Sequence, residues 1–162
     1  MNRVLTYEIT AEQAGTKIGD FLRRAGYSRH VIIHLKKTEN GILLNGEWAY
    51  VGQFLKERDH LEIRIIESEA SEQIVPAELP LDIVYEDEDL LIINKPADMP
   101  IHPSINNYDN TLANALMWYY QQKGETFVYR CINRLDRDTT GLLIVAKNML
   151  SGGILSDMSK KR

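Results

Sequence analysis

The sequence predicts an α+β protein of two units, and three observations support this prediction. Apolar residues recur at helical spacing in both halves of the chain, and short apolar runs bounded by turn residues indicate strands. Between the two halves of the chain, the acidic segment 67–80 shows no hydrophobic periodicity. The 162 residues suffice for two small domains. We therefore predict one domain at residues 1–66, an acidic linker at 67–80 and a second domain at 81–162.

The first unit is predicted to begin with two helices. Apolar residues at i, i+3, i+4 and i+7 start at Ile18, and Gly26 follows where a left-handed helix end would lie. Ser28 can cap a second helix that buries Val31 and Leu35. The sequence thus predicts two consecutive short helices.

Short strands are predicted to complete the first unit. Ile42–Leu44 is apolar and leads into Asn45-Gly46, the strongest short signal for a hairpin turn. Apolar and polar residues then alternate from Leu61 to Ile65, as in a strand with one buried face. We expect a small sheet behind the two helices.

The second unit is predicted to start with a strand pair and a helix. Leu81–Tyr85 and Leu90–Asn94 are apolar runs separated by an acidic turn. Helical spacing follows over residues 112–119, with Asn110 as a plausible cap and Gly124 at the far end.

The end of the chain is predicted to form further strands and a helix. Arg130–Arg134 and the strongly apolar Leu142–Ala146 flank a polar turn at residues 136–141, which indicates a strand pair or a strand, loop and strand. An amphipathic segment begins at Met149 and stops at the cations 160–162.

The net charge of −4 conceals an uneven distribution. Residues 1–66 carry a net charge of +2, residues 67–89 of −9 and residues 90–162 of +3. Within the first block, residues 17–37 hold one acid and six cations: Lys17, Arg23, Arg24, Arg29, Lys36 and Lys37. This pattern is consistent with a solvated helical face or with a surface that contacts phosphates.

Residues 133–141, NRLDRDTTG, contain the side chains best suited to chemistry. Turn composition alone favours a polar connection between two strands, in which side chains bond the local backbone. Asp136 and Asp138 could also face a cation, but two carboxylates without further ligands are a weak signal. We predict no metal site.

The first unit resembles the S4 RNA-binding domain over residues 14–66. The resemblance rests on the paired basic helices with Ser28-Arg29 between them, followed by GILLNG at residues 41–46. Arg58 stands where that family usually has glycine. The resemblance implies an αL-type fold that binds structured RNA. The residues that would contact RNA are Lys17, Arg23, Arg24, Ser28, Arg29, Lys36 and Lys37.

The second unit resembles the RluA-type RNA pseudouridine synthases over residues 81–162. The string RLDRDTTGLLIVAKN, the upstream Leu91–Pro96 and His102-Pro103 occur in the family's order. The resemblance implies the N-terminal part of a catalytic domain with a mixed or antiparallel sheet. It implies isomerisation of uridine in structured RNA, with ribosomal RNA favoured over transfer RNA.

The same resemblance implies roles for individual residues. Asp136 would be the catalytic aspartate, and Arg134 would fill the gap left by the flipped nucleotide. Thr139 and Thr140 would shape the substrate-binding loop. The reaction changes no oxidation state, so no cofactor is expected.

The chain also departs from the family in sequence and length. Asn133 replaces a histidine, and Asp98 stands where glycine is common. Family members continue for well over a hundred residues beyond the aspartate and carry there a tyrosine and a basic residue of the active site. We therefore expect a truncated chain of doubtful activity. The alternative is a catalytically inactive chain that only binds RNA through its S4 unit.

The sequence offers little sign of a membrane or a secretory route. No apolar run approaches the roughly 20 residues of a membrane helix, and the N-terminus lacks the apolar stretch of a signal peptide. The single cysteine, Cys131, excludes an intramolecular disulfide. We expect a cytoplasmic protein and infer no obligate protein partner.

Overall fold

A computed structural model describes residues 1–161, which form two compact units. One unit is Asn2–Ile66, and the other contains Met1 and the residues from Glu67 onward. Each combines α-helices with an antiparallel sheet, as the α+β prediction required. Within the described residues, no helix is long and apolar enough to cross a membrane.

The first unit packs two helices against a four-stranded sheet. Its strands lie in the order β1-β4-β2-β3, and every neighbouring pair is antiparallel. Its elements are β1 (Asn2–Glu8), α1 (Ile18–Arg24), α2 (Arg29–Lys37), β2 (Ile42–Leu44), β3 (Glu47–Trp48) and β4 (His60–Ile66).

Local signals explain the predicted boundaries of this unit. Gly26 adopts a φ of +93° just after α1, and the Ser28 hydroxyl accepts a hydrogen bond from the Val31 amide at the start of α2. Asn45 and Gly46 both have positive φ, as a tight hairpin turn requires. The helices and the turn were therefore predicted correctly.

Strand β1 was not predicted from the sequence. It pairs with β4 along its whole length, from Asn2 against Ile66 to Glu8 against His60. Its residues alternate only between exposed and half-buried positions, and the apolar Val4 points to the exposed side. Because neither face is fully buried, its sequence lacks a clear apolar alternation.

The second unit builds a three-stranded antiparallel sheet in the order β5-β6-β7. Its elements are β5 (Ile83–Glu86), β6 (Leu90–Lys95), α3 (Leu112–Gln122), β7 (Gly141–Ala146) and α4 (Met149–Lys160). The core joins apolar residues of β6 and β7 to α3, among them Leu91, Leu116 and Val145. Strand β6 is central, so both neighbours fix its position.

The structure corrects one prediction for this unit and refines another. Thr111, not Asn110, caps α3, because Thr111 and Asn114 form a reciprocal capping box. β7 pairs along its length with β6, and residues 130–132 meet its other edge through backbone hydrogen bonds, Ile132 with Ile144 at 2.8 Å and Ala146 with Arg130 at 2.9 Å. Residues 130–134 form a single bridge, Cys131 with Val145, and not a regular strand.

Residues 67–80 contain no helix or strand, and they belong to the second compact unit. The Glu67 carboxylate accepts hydrogen bonds from Arg130 and from the amide of Met149, the first residue of α4. Further along, the Asn114 side chain donates to the carbonyl of Val75 at 2.7 Å. The predicted acidic linker therefore follows the surface of this unit and is tied to it.

Candidate active site

The RLDRDTTG motif lies on a loop that leads directly into β7. Residues 134–140 contain no helix or strand, and Gly141 opens β7 with a φ of +142°, which side-chain-bearing residues rarely adopt. The four predicted site residues of this loop are all exposed: Arg134, Asp136, Thr139 and Thr140. The loop thus presents the predicted catalytic carboxylate to solvent.

Asn133 anchors the start of this loop to β7. Its amide nitrogen donates to the carbonyl of Leu142 at 3.1 Å, and its amide oxygen accepts from the Ile144 amide at 2.8 Å. The Asn133 side chain therefore bonds the outer edge of β7 much as a neighbouring strand would. The residue that replaces the family's histidine has a structural use in this chain.

Lys95, the last residue of β6, holds the loop from beneath. Its side chain is fully buried. The ammonium donates to three backbone carbonyls, those of Pro96 at 2.7 Å, Met99 at 3.0 Å and Arg137 at 2.8 Å. An ammonium has three donors, and all three are used here. Lys95 therefore ties the end of β6 to the residue that follows Asp136.

The charge of Lys95 also interacts with the carboxylates of the loop. Burial lowers the pKa of Lys95, whereas the negative charges of Asp138 and Asp136 act in the opposite direction. The two aspartates are therefore close enough to interact with the ammonium. Because its hydrogen bonds go to carbonyls, Lys95 supports the loop instead of pairing directly with a carboxylate.

A second connection joins the turn after β6 to the loop through Arg137. The Asp98 carboxylate accepts hydrogen bonds from the Arg137 guanidinium, including one from Nε at 2.7 Å, and the Met99 amide donates to the Arg137 carbonyl at 3.2 Å. Asp98 has a φ of +58°, which explains why glycine suits this position in the related family. Residues 95–99 thus hold Arg137 by both its main chain and its side chain.

Arg134 lies near a different group, the His102 imidazole. Partial burial and then the positive charge of Arg134 lower the pKa of His102, whose side chain stays accessible to solvent. The His102 ring also meets the Tyr129 ring edge to face, with 5.2 Å between the ring centres. The Tyr129 hydroxyl donates to the carbonyl of Ile101 at 2.8 Å. The segment around residue 102 is therefore close to the start of the motif loop.

A cleft of about 410 Å³ lies beside the far end of the loop. It is lined by Pro80, Leu81, Asp82, Asn94, Lys95, Pro96 and Thr140. Of the predicted site residues, Thr140 contributes to this lining. The Asn94 amide donates to the Asp82 carboxylate at 2.9 Å, so one wall of the cleft is polar and internally bonded. Within residues 1–161, no three acidic, histidine or cysteine side chains meet as a metal site would require.

The predicted RNA-binding residues all lie on α1, on α2 or at the ends of these helices. Their cationic members are exposed: Lys17, Arg23, Arg24, Arg29, Lys36 and Lys37. Arg23 pairs with Asp20 across one turn of α1, and the Ser28 hydroxyl caps α2. The two helices thus carry an exposed and strongly cationic surface on the first unit.

Sequence comparisons relate the chain to known proteins. Residues 89–162 match the family described as RNA pseudouridylate synthase. An uncharacterized RNA pseudouridine synthase of Bacillus subtilis, YhcT, is 35% identical over 160 residues, which cover 99% of this chain and 53% of the relative. The ribosomal large subunit pseudouridine synthase D of Escherichia coli K12 is 50% identical over 84 residues, covering 52% of this chain and 25% of the relative.

These comparisons also define what the chain spans. The chain spans about half the length of three curated relatives that it matches, between 45% and 53% of each. Among solved structures, the human RNA pseudouridylate synthase domain containing 1 aligns with a TM-score of 0.41 and 30% identity. That alignment covers 51% of this chain and 28% of the human chain.

Proposed function

Because residues 89–162 match the RNA pseudouridylate synthase family, we propose that the chain is part of an enzyme that converts uridine to pseudouridine in structured RNA. The observation that supports this most directly is the geometry of the motif loop. It exposes Asp136 while Lys95 holds the next residue by its carbonyl. An exposed carboxylate on an anchored loop suits an attack on a nucleotide that has left its helix.

The chemistry requires one carboxylate and no redox partner. The N1–C1′ bond of uridine breaks, the base turns within its pocket, and a C5–C1′ bond forms while the proton of C5 is lost and N1 gains one. We propose that Asp136 acts as the nucleophile or as the base that assists this exchange. The nucleotide is neither oxidised nor reduced, so the step needs no cofactor.

We propose that the neighbouring residues handle the flipped nucleotide. Arg134 is exposed two residues before Asp136, where it can enter the gap left in the RNA helix. Thr140 lines the cleft beside the loop, and Thr139 precedes it. Their hydroxyls can donate to the carbonyl oxygens of a uracil.

We further propose that the first unit is an S4-type RNA-binding domain. Two short helices with exposed cations suit contacts to phosphates of a folded RNA, with little reading of sequence. Ribosomal RNA is the favoured substrate, because the named relatives include a ribosomal large subunit pseudouridine synthase. We expect the protein to act in the cytoplasm, where such RNA is found.

The 162 residues alone are proposed to bind RNA without turning over uridine. In the related family, a tyrosine against the base and a cation paired with the aspartate complete the site, and both lie beyond the segment that residues 81–162 resemble. The hydrogen bonds of Lys95 go to carbonyls, so it does not replace that cation. Without that cation the ionised form of the reacting carboxylate is less stable, and without that tyrosine the base is held less firmly in position.

The test uses the 162-residue chain and a version extended by the C-terminal half of the Bacillus subtilis relative. Mass spectrometry of ribosomal RNA should show pseudouridine only with the extended chain, and Asp136→Asn in that chain should abolish it while RNA affinity stays nearly unchanged. Asp138→Asn is the matched control and should retain turnover. Activity of the extended Asp136→Asn variant would show that another residue carries the chemistry.

A further inference from the structure

The loop between β3 and β4 exposes large aromatic side chains that no part of the proposed mechanism uses. Tyr50 is 71% exposed and Phe54 is 60% exposed, and Trp48 just before them is 48% exposed. Ala49 and Leu55, in contrast, are almost fully buried and fix both ends of this stretch. Large aromatic rings that are exposed on a fixed backbone are typical of binding surfaces.

Main-chain hydrogen bonds hold this loop against the start of α1. The amide of Ile18 donates to the Gln53 carbonyl at 2.9 Å, and the amide of Gly19 donates to the Val51 carbonyl at 2.8 Å. Helix α1 has no side-chain cap, so these loop carbonyls satisfy its first amides. A Cβ atom on Gly19 would lie 3.3 Å from Val51, which shows how closely helix and loop approach. The aromatic loop is therefore rigidly joined to the cationic helix.

A cation at the start of α1 lies over one of these rings, and a second cation of α1 lies near the loop. The Lys17 ammonium sits over the Phe54 ring, 5.5 Å from its centre. The Arg23 guanidinium also lies near this junction, 3.9 Å from the place where a Cβ atom on Gly19 would be. Positive charge and exposed aromatic faces thus occur together on one edge of the first unit.

We propose that Tyr50 and Phe54 stack on unpaired nucleobases of the bound RNA, while Lys17 and Arg23 neutralise phosphates of the same strand. Every base offers a π face, so aromatic stacking beside cations binds single-stranded segments without sequence preference. This role would add to helical phosphate contacts a preference for RNA in which a loop or tail adjoins a duplex. The inference rests on the proposed RNA binding of the first unit and concerns a separate set of side chains.

The test compares two labelled RNA hairpins, identical except that one carries a single-stranded tail. The full chain should bind the tailed hairpin more tightly. The double variant Tyr50→Ala, Phe54→Ala should lose about tenfold or more in affinity for the tailed RNA, with little change for the blunt hairpin. The dependence of affinity on salt should stay the same, because no cation is removed.

The matched control is the double variant Tyr50→Phe, Phe54→Tyr, which keeps both rings and should keep the preference for the tail. Equal affinity of the alanine variant and the parent for the tailed hairpin would overturn the stacking proposal while leaving the cationic helices as the RNA-binding surface. An equal loss for both hairpins would also overturn it. If the parent binds neither RNA, the proposed RNA binding of the first unit fails as well.

Discussion

The buried ammonium of Lys95 donates to the carbonyl of Arg137, 42 residues further along the chain, at a distance of 2.8 Å. This contact connects the end of β6 with the turn that carries Asp136. The same ammonium also donates to the carbonyls of Pro96 and Met99. One side chain therefore joins the turn after β6 to the loop that carries Asp136. A buried side chain of the second unit thus holds the loop, in addition to the hydrogen bonds within the loop itself.

The first prediction concerns the replacement Lys95→Met, which keeps the length of the side chain but removes its donors. Three carbonyls lose a partner in a buried setting, whereas the cost of burying a charge is relieved. We expect a net loss of roughly 2 kcal/mol in the free energy of unfolding, measured by urea titration. Lys36→Met, at an exposed position of α2, should change stability by less than about 0.5 kcal/mol. Equal stability of the two variants would contradict the anchoring role.

The second prediction separates backbone conformation from ion pairing at Asp98. Both partners of the Asp98–Arg137 pair are largely exposed, so losing it should cost at most about 1 kcal/mol. Asp98→Gly removes the carboxylate but fits the positive φ, and its stability should therefore stay within about 1 kcal/mol of the parent. Asp98→Val removes the same carboxylate and adds a β-branched side chain that is strained at this φ.

Urea denaturation of both variants distinguishes these two effects. We expect Asp98→Val to be less stable than Asp98→Gly by on the order of 1–2 kcal/mol. If the two variants were equally destabilised, the ion pair and not the backbone would determine the residue at this position.

The third prediction is an acid dependence of stability that originates at Glu86. Burial of this carboxylate would raise its pKa, but hydrogen bonds from Lys147, Tyr119 and Tyr120 outweigh burial and lower the pKa from 4.5 to about 2. The distances to the three donor atoms are 2.9, 2.7 and 3.0 Å. Because the folded state lowers the pKa, the ionised carboxylate stabilises the fold above pH 4.5.

This contribution is lost as the pH falls from 4.5 towards 2, and a shift of that size corresponds to roughly 3 kcal/mol. Thermal unfolding between pH 6 and pH 3 should therefore show a steeper decline for the parent than for Glu86→Gln. Asp157→Asn, a change of an exposed carboxylate on α4, is the control and should leave the decline unchanged. Parallel curves for the parent and Glu86→Gln would contradict the assignment.

The comparison of sequence and structure shows which features are encoded locally. The Ser28 cap and the Asn45-Gly46 turn depend on residues a few positions apart, and both were predicted from the residue types at those positions. The role of Lys95 could not be predicted in detail, because its partner at Arg137 is distant in sequence and accepts through the backbone.

Asn133 and Asp98 illustrate a second kind of information. Both were noticed because they depart from the pattern of the related family, and in the structure both make bonds that hold the motif loop. The departure marked the positions, but only the fold assigned their partners. The roles of Asp136 and of the cations on α1 and α2 stay predictions, because these roles concern contacts with RNA.

The last prediction concerns the charge of the helical surface. Arg29→Glu with Lys36→Glu reverses two exposed cations on α2. An acidic side chain is favourable at Arg29, the first residue of the helix, and unfavourable at Lys36 in its last turn, so the two effects on stability offset each other and the fold should tolerate the change. Affinity for structured RNA should fall, and the slope of log affinity against log salt should decrease by roughly two units, because each lost phosphate contact contributes about one.

The control for this experiment reverses two cations of the second unit, Lys160→Glu with Lys161→Glu, and so produces the same change in net charge. If binding depends on the surface formed by α1 and α2, this control should shift affinity slightly and leave the salt slope close to that of the parent. An equal effect of both double variants would mean that RNA responds to overall charge. In that case the cationic helices would hold no special place in RNA binding.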